Sequence, residues 1–281
     1  MKYFSAKQSA QVVFVILPGN PGKVELYLEF MQHLYNKYKQ QIDIYGINYL
    51  GHVEPTFKCY SLMDQTEHCK VEIYKIKQQH PNVKLYLLGH SVGAFIALKL
   101  EYLADKLVFL FPSIDDFKAT PNAKIYWPLF TPIFIYFVAF LVYLTSFFPA
   151  SLRLQISILV DPKLTIEQAA VMTREWDPRI IYNTGKIVQD EFEYITALDL
   201  KEMELVINKC WFILSPFDGW CDIGTYRRLA TKWPNKLITR DSVQKNKDGG
   251  GLYLTDAGIP HAFIVGYNME VAEIVYSTIS L

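Results

Sequence analysis

The stretch that decides the fold is VKLYLLGHSVGAFIALKL, residues 83–100. It begins with an apolar run at residues 85–88 that is typical of a buried β-strand, and it continues after a sharp turn with apolar residues at helical spacing. The turn itself, GHSVG at residues 89–93, has the pattern G-x-S-x-G. A strand, this turn and a helix in that order predict a nucleophile elbow, in which a strained backbone exposes a serine hydroxyl. Ser91 is therefore the candidate nucleophile.

The alternative to a nucleophile elbow is a plain glycine-rich turn between a strand and a helix. Three fixed Gly and Ser positions match by accident in on the order of one chain of this length in ten to thirty, so the motif alone is weakly specific. The strand before the motif and the helix after it favour the elbow. In that case Gly89 and Gly93 are required, because only glycine lets the neighbouring backbone pass so close.

Composition and charge limit the class of protein. The chain has 281 residues, of which 51% are hydrophobic, and its net charge is zero. These values predict one globular domain with an insertion, or two small domains, and the balanced charge argues against a nucleic-acid binder. Four cysteines without a C-x-x-C pair are few for a disulfide scaffold, and no N-x-S/T sequon occurs. We therefore expect a reducing, cytosol-facing location.

Apolar runs alternate with helical patterns along most of the chain. This alternation predicts a parallel α/β sheet, whose ligand sites lie at the carboxyl ends of the strands. The run at residues 12–17 is rich in β-branched residues, as expected of a strand buried on both faces, and a dense turn cluster follows it. The predicted strands are 12–17, 42–49, 85–88, 106–111, 210–214, 236–240 and 252–254, and the predicted helices are 23–38, 62–79, the one after the elbow, 223–231, and a terminal helix that begins at His261.

The alternation breaks at Pro112 and resumes only near Cys210. A gap of about a hundred residues inside a compact fold indicates an inserted cap, because irregular loops are rarely that long. We therefore predict that residues 1–116 and 207–281 form the two halves of the core and that residues 117–206 form the cap.

Serine is a poor nucleophile at neutral pH and needs a histidine base, which in turn needs a carboxylate to hold its tautomer. The order along the chain in this type of fold is Ser, then Asp or Glu, then His. The one histidine after Ser91 is His261, in GIPHAF at residues 258–263, a turn just after a predicted strand. We predict His261 as the base; the alternative is a surface histidine or one at a helix N-terminus.

The carboxylate is harder to choose. Asp218 follows the predicted strand 210–214 after a short turn, which places it at the carboxyl edge of the sheet. Asp222, four residues further on, suits the cap of the next helix. We predict Asp218 as the partner of His261 and keep Asp222 as the alternative. Five aspartates are considered for this role because they precede His261: Asp199, Asp218, Asp222, Asp241 and Asp256.

The oxyanion that develops in acyl transfer needs backbone N–H donors. In this type of fold one donor comes from the residue after the nucleophile and one from an early loop between a strand and a helix. These are Val92 and, in the loop LPGNPG at residues 17–22, Asn20. Pro21 has no N–H to donate, and Gly19 allows a close approach. The alternative is that this loop is a turn of purely structural value.

The remaining histidines suggest no further chemistry. His90 is adjacent to the nucleophile, but neighbouring side chains on a tight turn point apart, so we expect it to pack or to hydrogen-bond locally. The others show no metal-ligand spacing such as H-E-x-x-H, and no metal or other cofactor is predicted. They are His33, His52, His68 and His80.

Residues 125–152, IYWPLFTPIFIYFVAFLVYLTSFFPASL, contain no charged side chain. Their length would suit a transmembrane helix. A single crossing is excluded by the triad, because Ser91 precedes the stretch whereas Asp218 and His261 follow it. Two crossings would need about forty apolar residues, and prolines also interrupt the run.

Two arrangements of this stretch remain. The first is a helix pair over residues 125–149 that dips into one leaflet of a lipid surface, which the Tyr and Trp residues favour because they suit such interfaces. The second is a buried apolar cap that lines an acyl-binding tunnel. Three flanking basic residues could lie at lipid head groups in the first arrangement: Lys118, Lys124 and Arg153.

Five motifs taken together resemble the lipid droplet-associated hydrolase family: LPGNPG at 17–22, GHSVG at 89–93, FP at 111–112, DGWC at 218–221 and IPHAF at 259–263. The resemblance covers nearly the whole chain, in order. It implies an α/β-hydrolase fold with a mostly parallel central sheet, flanking helices, and a helical hydrophobic cap inserted after the strand that ends near Phe111. It also implies a triad of Ser91, Asp218 and His261.

The same resemblance implies a serine esterase, that is, a carboxylic ester hydrolase, which acts on lipid esters with sterol esters as the suggested class. The expected partners are the lipid ester and, through residues 125–149, the lipid-droplet monolayer or the endoplasmic-reticulum membrane. The first alternative is a droplet-bound structural or regulatory protein with little turnover, and the second is a soluble hydrolase or acyltransferase. Two departures from the family are expected: short or missing N-terminal strands, and an added insert at residues 244–251.

Overall fold

The computed structural model describes residues 1–160, 162–174, 176–239, 249–256 and 258–279, and its centre is an eight-stranded sheet. The strands are β1 (Lys2–Phe4), β2 (Val12–Leu17), β3 (Ile42–Gly46), β4 (Lys84–His90), β5 (Lys106–Leu110), β6 (Cys210–Leu214), β7 (Leu237–Ile238) and β8 (Gly251–Leu254). They lie in the order β1-β3-β2-β4-β5-β6-β8-β7. β1 pairs antiparallel with β3, and the other neighbours are parallel.

The central strands are apolar on both sides because helices cover both faces of the sheet. Every residue of β2 and β6 is buried. Successive side chains of β2 point to opposite faces, so that Val13 belongs to one hydrophobic core cluster and Phe14 to the other. In the parallel pairing of β2 with β4, Leu17 lies opposite Gly89. The early loop and the elbow therefore leave the sheet side by side.

Eleven α-helices are described in the ranges given above: α1 (Leu28–Lys37), α2 (Leu62–Gln79), α3 (Val92–Lys99), α4 (Pro121–Tyr126), α5 (Pro132–Thr145), α6 (Ala150–Val160), α7 (Ile166–Arg174), α8 (Pro178–Tyr194), α9 (Leu200–Val206), α10 (Ile223–Lys232) and α11 (Asn268–Thr278). α1 and α11 pack together on one face of the sheet, where Phe30 and Val271 join the same core cluster. α2 and α3 lie on the other face, where Ile73 and Ile96 are buried. This architecture confirms the predicted α/β-hydrolase fold.

Most predicted elements agree with the structure. The strands at 12–17 and 210–214 and the helix at 62–79 have the predicted bounds, and the last of these begins with a capping box between Ser61 and Asp64. The predicted helix 23–38 is divided into a 3₁₀ turn, Val24–Tyr27, and α1. β1 is a strand of three residues, Lys2–Phe4.

Three other boundaries were predicted wrongly. The strand predicted at 42–49 ends at Gly46. The terminal helix does not begin at His261 but at Asn268, because Phe263 N–H bonds to the His261 carbonyl in a tight turn and Gly266 has a φ of +90°, which no helix allows. The strand predicted at 236–240 spans only Leu237–Ile238. Arg240 and most of the insert at 244–251 lie outside the described residues, whereas Gly251 begins β8.

The helices α4 to α9 are inserted between β5 and β6. α5 lies against α8, and its buried residues are Ile135 and Ala139. In the part of the chain that the structure describes, no one helix combines the length and the apolar character that a membrane crossing requires. The segments Pro121–Phe130 and Pro132–Thr145 reach that length and character only as a pair, with a bend of 69° between them.

Candidate active site

The elbow holds Ser91 in a strained conformation. Its φ of 53° and ψ of −124° lie in a region that non-glycine residues rarely adopt. A Cβ atom at Gly93 would stand 2.2 Å from the Leu17 carbonyl oxygen, and one at Gly89 would stand 2.5 Å from the Gly93 carbonyl oxygen. Both contacts are with backbone that has little room to move. The prediction that glycine is required at 89 and 93 is confirmed.

The structure brings together the three residues predicted as a triad. His261 Nε2 lies 2.8 Å from Ser91 Oγ, and His261 Nδ1 lies 2.8 Å from Asp218 Oδ2. The other carboxylate oxygen of Asp218 accepts hydrogen bonds from the backbone N–H groups of Trp220, at 2.8 Å, and Cys221, at 3.0 Å. Asp218 is buried, so these donors replace the water that would otherwise solvate its charge.

Each of the three residues follows the carboxyl end of a parallel strand. Ser91 comes directly after β4, Asp218 comes from the turn after β6, and His261 comes from the loop after β8. β4 and β6 flank β5, and β8 flanks β6, so these strand ends meet at one edge of the sheet. This is the edge at which α/β proteins form their ligand sites.

The other aspartates lie elsewhere. Asp222 occupies the N-cap position of α10, as its alternative role predicted, although its side chain makes no capping hydrogen bond. Asp199 caps α9 by accepting from the backbone N–H of Lys201. Asp256 is exposed, and Asp241 lies outside the described residues.

The two residues predicted as oxyanion donors flank the nucleophile. Val92 is the first residue of α3, where backbone N–H groups have no partner within the helix. Asn20 follows Gly19, whose added Cβ would stand 3.0 Å from Ser91 Cβ, so this loop lies directly against the nucleophile. The Asn20 side chain donates to the Thr184 carbonyl oxygen in α8 at 2.9 Å, while its Oδ1 is buried with no hydrogen-bond partner.

Ser113 is a further hydroxyl at the site that the sequence reasoning missed. Its Oγ lies 3.3 Å from Ser91 Oγ, and its backbone N–H donates to the Ser91 carbonyl at 3.1 Å. Ser113 follows Phe111-Pro112 at the carboxyl end of β5, and that position was the one signal that could have identified it. Its backbone bond helps to hold the turn that carries Ser91.

His90 is buried beside the triad and makes two hydrogen bonds. Its Nδ1 lies 2.5 Å from the Tyr27 hydroxyl, and its Nε2 lies 2.9 Å from the His261 carbonyl oxygen. We expected local packing or local hydrogen bonds, whereas both partners are distant in sequence. Burial, and secondarily the nearby His261, lowers the pKa of His90 to about 3, so this imidazole is neutral at neutral pH.

The inserted helices contact the loop that carries Asp218. Trp220 stacks on Phe117 with ring centroids 5.7 Å apart and an angle of 11° between the planes. The Asn122 N–H donates to the Gly219 carbonyl at 2.9 Å. The insertion therefore borders the site on the side of the carboxylate. Among the described residues, no group of three or more His, Cys, Asp or Glu side chains could hold a metal ion.

The uncharged stretch exposes a large apolar surface. Ile133 is 85% exposed, Phe147 71% and Ile125 65%, and Tyr136, Phe137 and Phe140 on α5 are also exposed. Monomeric soluble proteins rarely expose contiguous apolar patches of this kind unless the patch binds something. These side chains do not line an internal tunnel.

Solved structures with the same fold include esterases and related hydrolases. A carboxylesterase from Nitrososphaera gargenis matches with a TM-score of 0.64 at 12% identity, over 98% of this chain and 91% of that one. An esterase from Exiguobacterium antarcticum matches with a TM-score of 0.56 at 14% identity, over 96% and 92% of the two chains. At such low identity these likenesses show the fold alone.

Comparison with known protein sequences identifies a family, which the structural likenesses do not. The mouse lipid droplet-associated hydrolase is 27% identical over 294 residues, which cover 94% of this chain and 83% of the mouse protein. The human protein of the same name is 24% identical, over 96% and 85% of the two chains. The family model described as lipid-droplet associated hydrolase matches residues 10–264. With most of the sequence matched and the hydrolase fold in place, the chain belongs to the lipid-droplet associated hydrolase family.

Proposed function

We propose that this protein is a serine esterase that hydrolyses lipid esters through an acyl intermediate on Ser91. The observation that carries the proposal is the continuous chain of hydrogen bonds from Ser91 through His261 to Asp218, with both distances at 2.8 Å. A nucleophile, a base and a group that orients the base are the parts that this chemistry needs.

In the first half of the reaction, His261 Nε2 takes the proton from Ser91 Oγ as that oxygen bonds to the ester carbonyl carbon. The carbonyl oxygen becomes an oxyanion, which the backbone N–H groups of Val92 and Asn20 stabilise. Asp218 stabilises the imidazolium through its bond to Nδ1. The tetrahedral intermediate then breaks the bond to the alcohol oxygen, which leaves with the proton from His261.

In the second half, a water molecule gives a proton to His261 Nε2 while its oxygen attacks the acyl carbon. The second oxyanion accepts hydrogen bonds from the same backbone N–H groups. The intermediate breaks the bond to Ser91 Oγ, which takes back the proton from His261, and the fatty acid is released. The catalytic groups return to their starting state, and the net reaction is ester plus water to acid plus alcohol.

Residues 125–149 would hold this esterase on a lipid-droplet monolayer or on the cytosolic face of the endoplasmic reticulum. The exposed apolar side chains of α5 support this role, because a lipid surface would remove them from water. In this arrangement residues 1–116 and 207–281 are the two halves of the catalytic core, and residues 117–206 are a cap that places the site at the lipid surface. Sterol esters are the first substrates to test.

A fluorophosphonate probe tests the catalytic proposal directly, because it phosphonylates only activated serines. We expect labelling of the wild-type protein and no labelling of Ser91→Ala. Ser113→Ala is the matched control, since it removes the neighbouring hydroxyl, which lies 3.3 Å from Ser91 Oγ; it should still be labelled. An unlabelled wild-type protein, or equal labelling of Ser91→Ala, would overturn the proposal.

A second candidate function is a droplet-bound structural or regulatory role with little turnover. The apolar surface favours it, because that surface lies on α5 and its flanking segments and does not depend on Ser91. Expression of Ser91→Ala in cells separates the two roles. If the variant changes stored lipid as the wild type does, the structural role accounts for the effect; if the effect disappears, catalysis does.

A further inference from the structure

A buried chain of hydrogen bonds joins the two loops that flank the nucleophile. The Gly19 N–H bonds to the Tyr27 hydroxyl at 2.8 Å, the hydroxyl lies 2.5 Å from His90 Nδ1, and His90 Nε2 lies 2.9 Å from the His261 carbonyl oxygen. Tyr27 is 2% exposed and His90 5%. One end of the chain is the loop of Asn20, and the other end is the backbone of the candidate base.

The two ends of this chain fix the direction of every bond in it. The Gly19 N–H can only donate, and the His261 carbonyl can only accept. His90 must therefore carry its proton on Nε2, and its Nδ1 must accept from the Tyr27 hydroxyl, which itself accepts from Gly19. A protonated His90 would donate to Tyr27 from Nδ1 and leave the hydroxyl proton without an acceptor in the chain.

Aromatic side chains enclose His90. Its ring centroid lies 5.0 Å from that of Phe263 and 6.3 Å from that of Phe111, and Phe263 also packs edge-on against Tyr27. This enclosure keeps water from competing for the hydrogen bonds, which strengthens them. The centroid of the His90 ring also lies 5.2 Å from that of His261. Because His90 is neutral, it does not repel the positive charge that His261 gains during the reaction.

We infer that His90 and Tyr27 are positioning residues, which set the distance between the base His261 and the oxyanion loop at Gly19-Asn20. The inference rests on the proposed function, since it assigns these two residues a role in the Ser91 reaction. A shift of about 1 Å between catalytic groups can cost about a hundredfold in rate.

Two substitutions of His90 separate positioning from simple packing. The amide nitrogen of Gln reaches about as far as Nε2, so His90→Gln can still donate to the His261 carbonyl but has no acceptor for Tyr27 at the position of Nδ1. Asn reaches only as far as Nδ1, so His90→Asn keeps the acceptor for Tyr27 and loses the bond to His261. Tyr27→Phe removes the hydroxyl in the middle of the hydrogen-bond chain and changes the volume of the side chain only slightly.

The experiment measures kcat and KM with a soluble p-nitrophenyl ester, together with the thermal unfolding midpoint of each variant. We expect His90→Asn, His90→Gln and Tyr27→Phe each to lower kcat about 10- to 100-fold with KM within about twofold, because each breaks the chain at one place. The double variant Tyr27→Phe/His90→Asn should lose no more than the worse single variant, because both break one chain.

The inference is overturned if the variants keep the wild-type kcat, or if only one of His90→Asn and His90→Gln lowers kcat while both remain folded at the assay temperature. Suppose that the wild-type protein hydrolyses the ester and is labelled at Ser91, and that the His90 and Tyr27 variants keep its kcat. This result would contradict the inference but not the proposed function. An inactive wild type would sink the proposed function. In that case the ¹⁵N NMR spectrum of His90 still decides the chain: a neutral ring protonated on Nε2 supports it, and any other form contradicts it.

Discussion

The Asn20 side chain, in the loop beside Ser91, donates a hydrogen bond to the carbonyl oxygen of Thr184 in α8 at 2.9 Å. This bond ties the proposed oxyanion loop to the inserted helices. Asn20→Ala removes it but keeps the backbone N–H, so the loop should loosen without losing its donor. A hydrogen bond of about 1 kcal/mol predicts a fall of about fivefold in kcat and in the rate of fluorophosphonate labelling. Asn82→Ala, an exposed change at the opposite edge of the sheet, is the control and should have no effect.

The two candidate carboxylates can be separated by substitution to asparagine. Asp218→Asn keeps the shape of the side chain but replaces the acceptor of His261 Nδ1–H, so it should lower kcat by about 10³- to 10⁴-fold. Asp222→Asn changes a residue at the start of α10 that does not contact the histidine, and kcat should stay within about threefold. Steady-state kinetics with a soluble ester would check both values. A larger loss in Asp222→Asn would contradict the assignment.

The contact of α5 with α8 is tight at one glycine. A Cβ at Gly185 would stand 2.7 Å from Ile135 Cδ1, so Gly185→Ala should overpack this contact by about 1–3 kcal/mol despite the better helix propensity of alanine. In the background of Ile135→Ala the obstacle is gone, and the same change should stabilise by about 1 kcal/mol. The free energy of unfolding in urea, measured for the wild type, the two single variants and the double variant, gives the coupling energy between Gly185 and Ile135. Additive effects would show that the two helices do not pack in this way.

Sequence reasoning predicted those parts of the candidate site that depend on strand order. Ser91, Asp218 and His261 each follow a strand with a clear apolar run, and the parallel sheet then brings their side chains to one edge. The same reasoning failed where a contact joins distant segments without a periodic signal. Tyr27 lies in a 3₁₀ turn whose pattern looked like the first turn of a helix, and nothing in its neighbours indicates a bond to His90.

The orientation of the apolar stretch also could not be predicted from the sequence. Residues 125–149 have the composition of either a buried cap or a lipid-binding surface, and composition does not distinguish a face packed on protein from a face turned outward. The structure places only Ile135 and Ala139 of α5 in the interior. The start of α11 was misjudged for a related reason, because the turn after His261 is set by the fold and by Gly266.

A buried carboxyl on α8 should make stability depend on pH. Burial raises the pKa of Glu191 from 4.5 to about 8, so the folded state holds a proton there that the unfolded state releases. The free energy of unfolding should therefore fall as the pH rises from about 5 to 9, by on the order of 2–4 kcal/mol from this group.

Glu191→Gln should remove that dependence, because an amide does not ionise. The difference between variant and wild type, measured in urea at several pH values, isolates Glu191 from all other titrating groups. The variant should gain stability over wild type at pH 9 relative to pH 5. A difference that is the same at both values would show that Glu191 is ionised in the folded protein at neutral pH.

The exposed apolar side chains of α5 should determine attachment to lipid. Ile133 and Phe140 are 85% and 55% exposed, and burying two such side chains in lipid contributes about 2–4 kcal/mol. The double variant Ile133→Ser/Phe140→Ser should therefore bind phospholipid-coated triacylglycerol droplets at least about 30-fold more weakly in a flotation assay. Phe57→Ser/Leu205→Ser is the matched control, since Phe57 and Leu205 are 92% and 86% exposed but lie outside residues 125–149. Both variants remove a similar apolar area, so a general loss of hydrophobicity would weaken droplet binding by the two variants equally. That result would exclude α5 as the attachment site. Retention of soluble-ester turnover by Ile133→Ser/Phe140→Ser would show that the loss is one of attachment and not of folding.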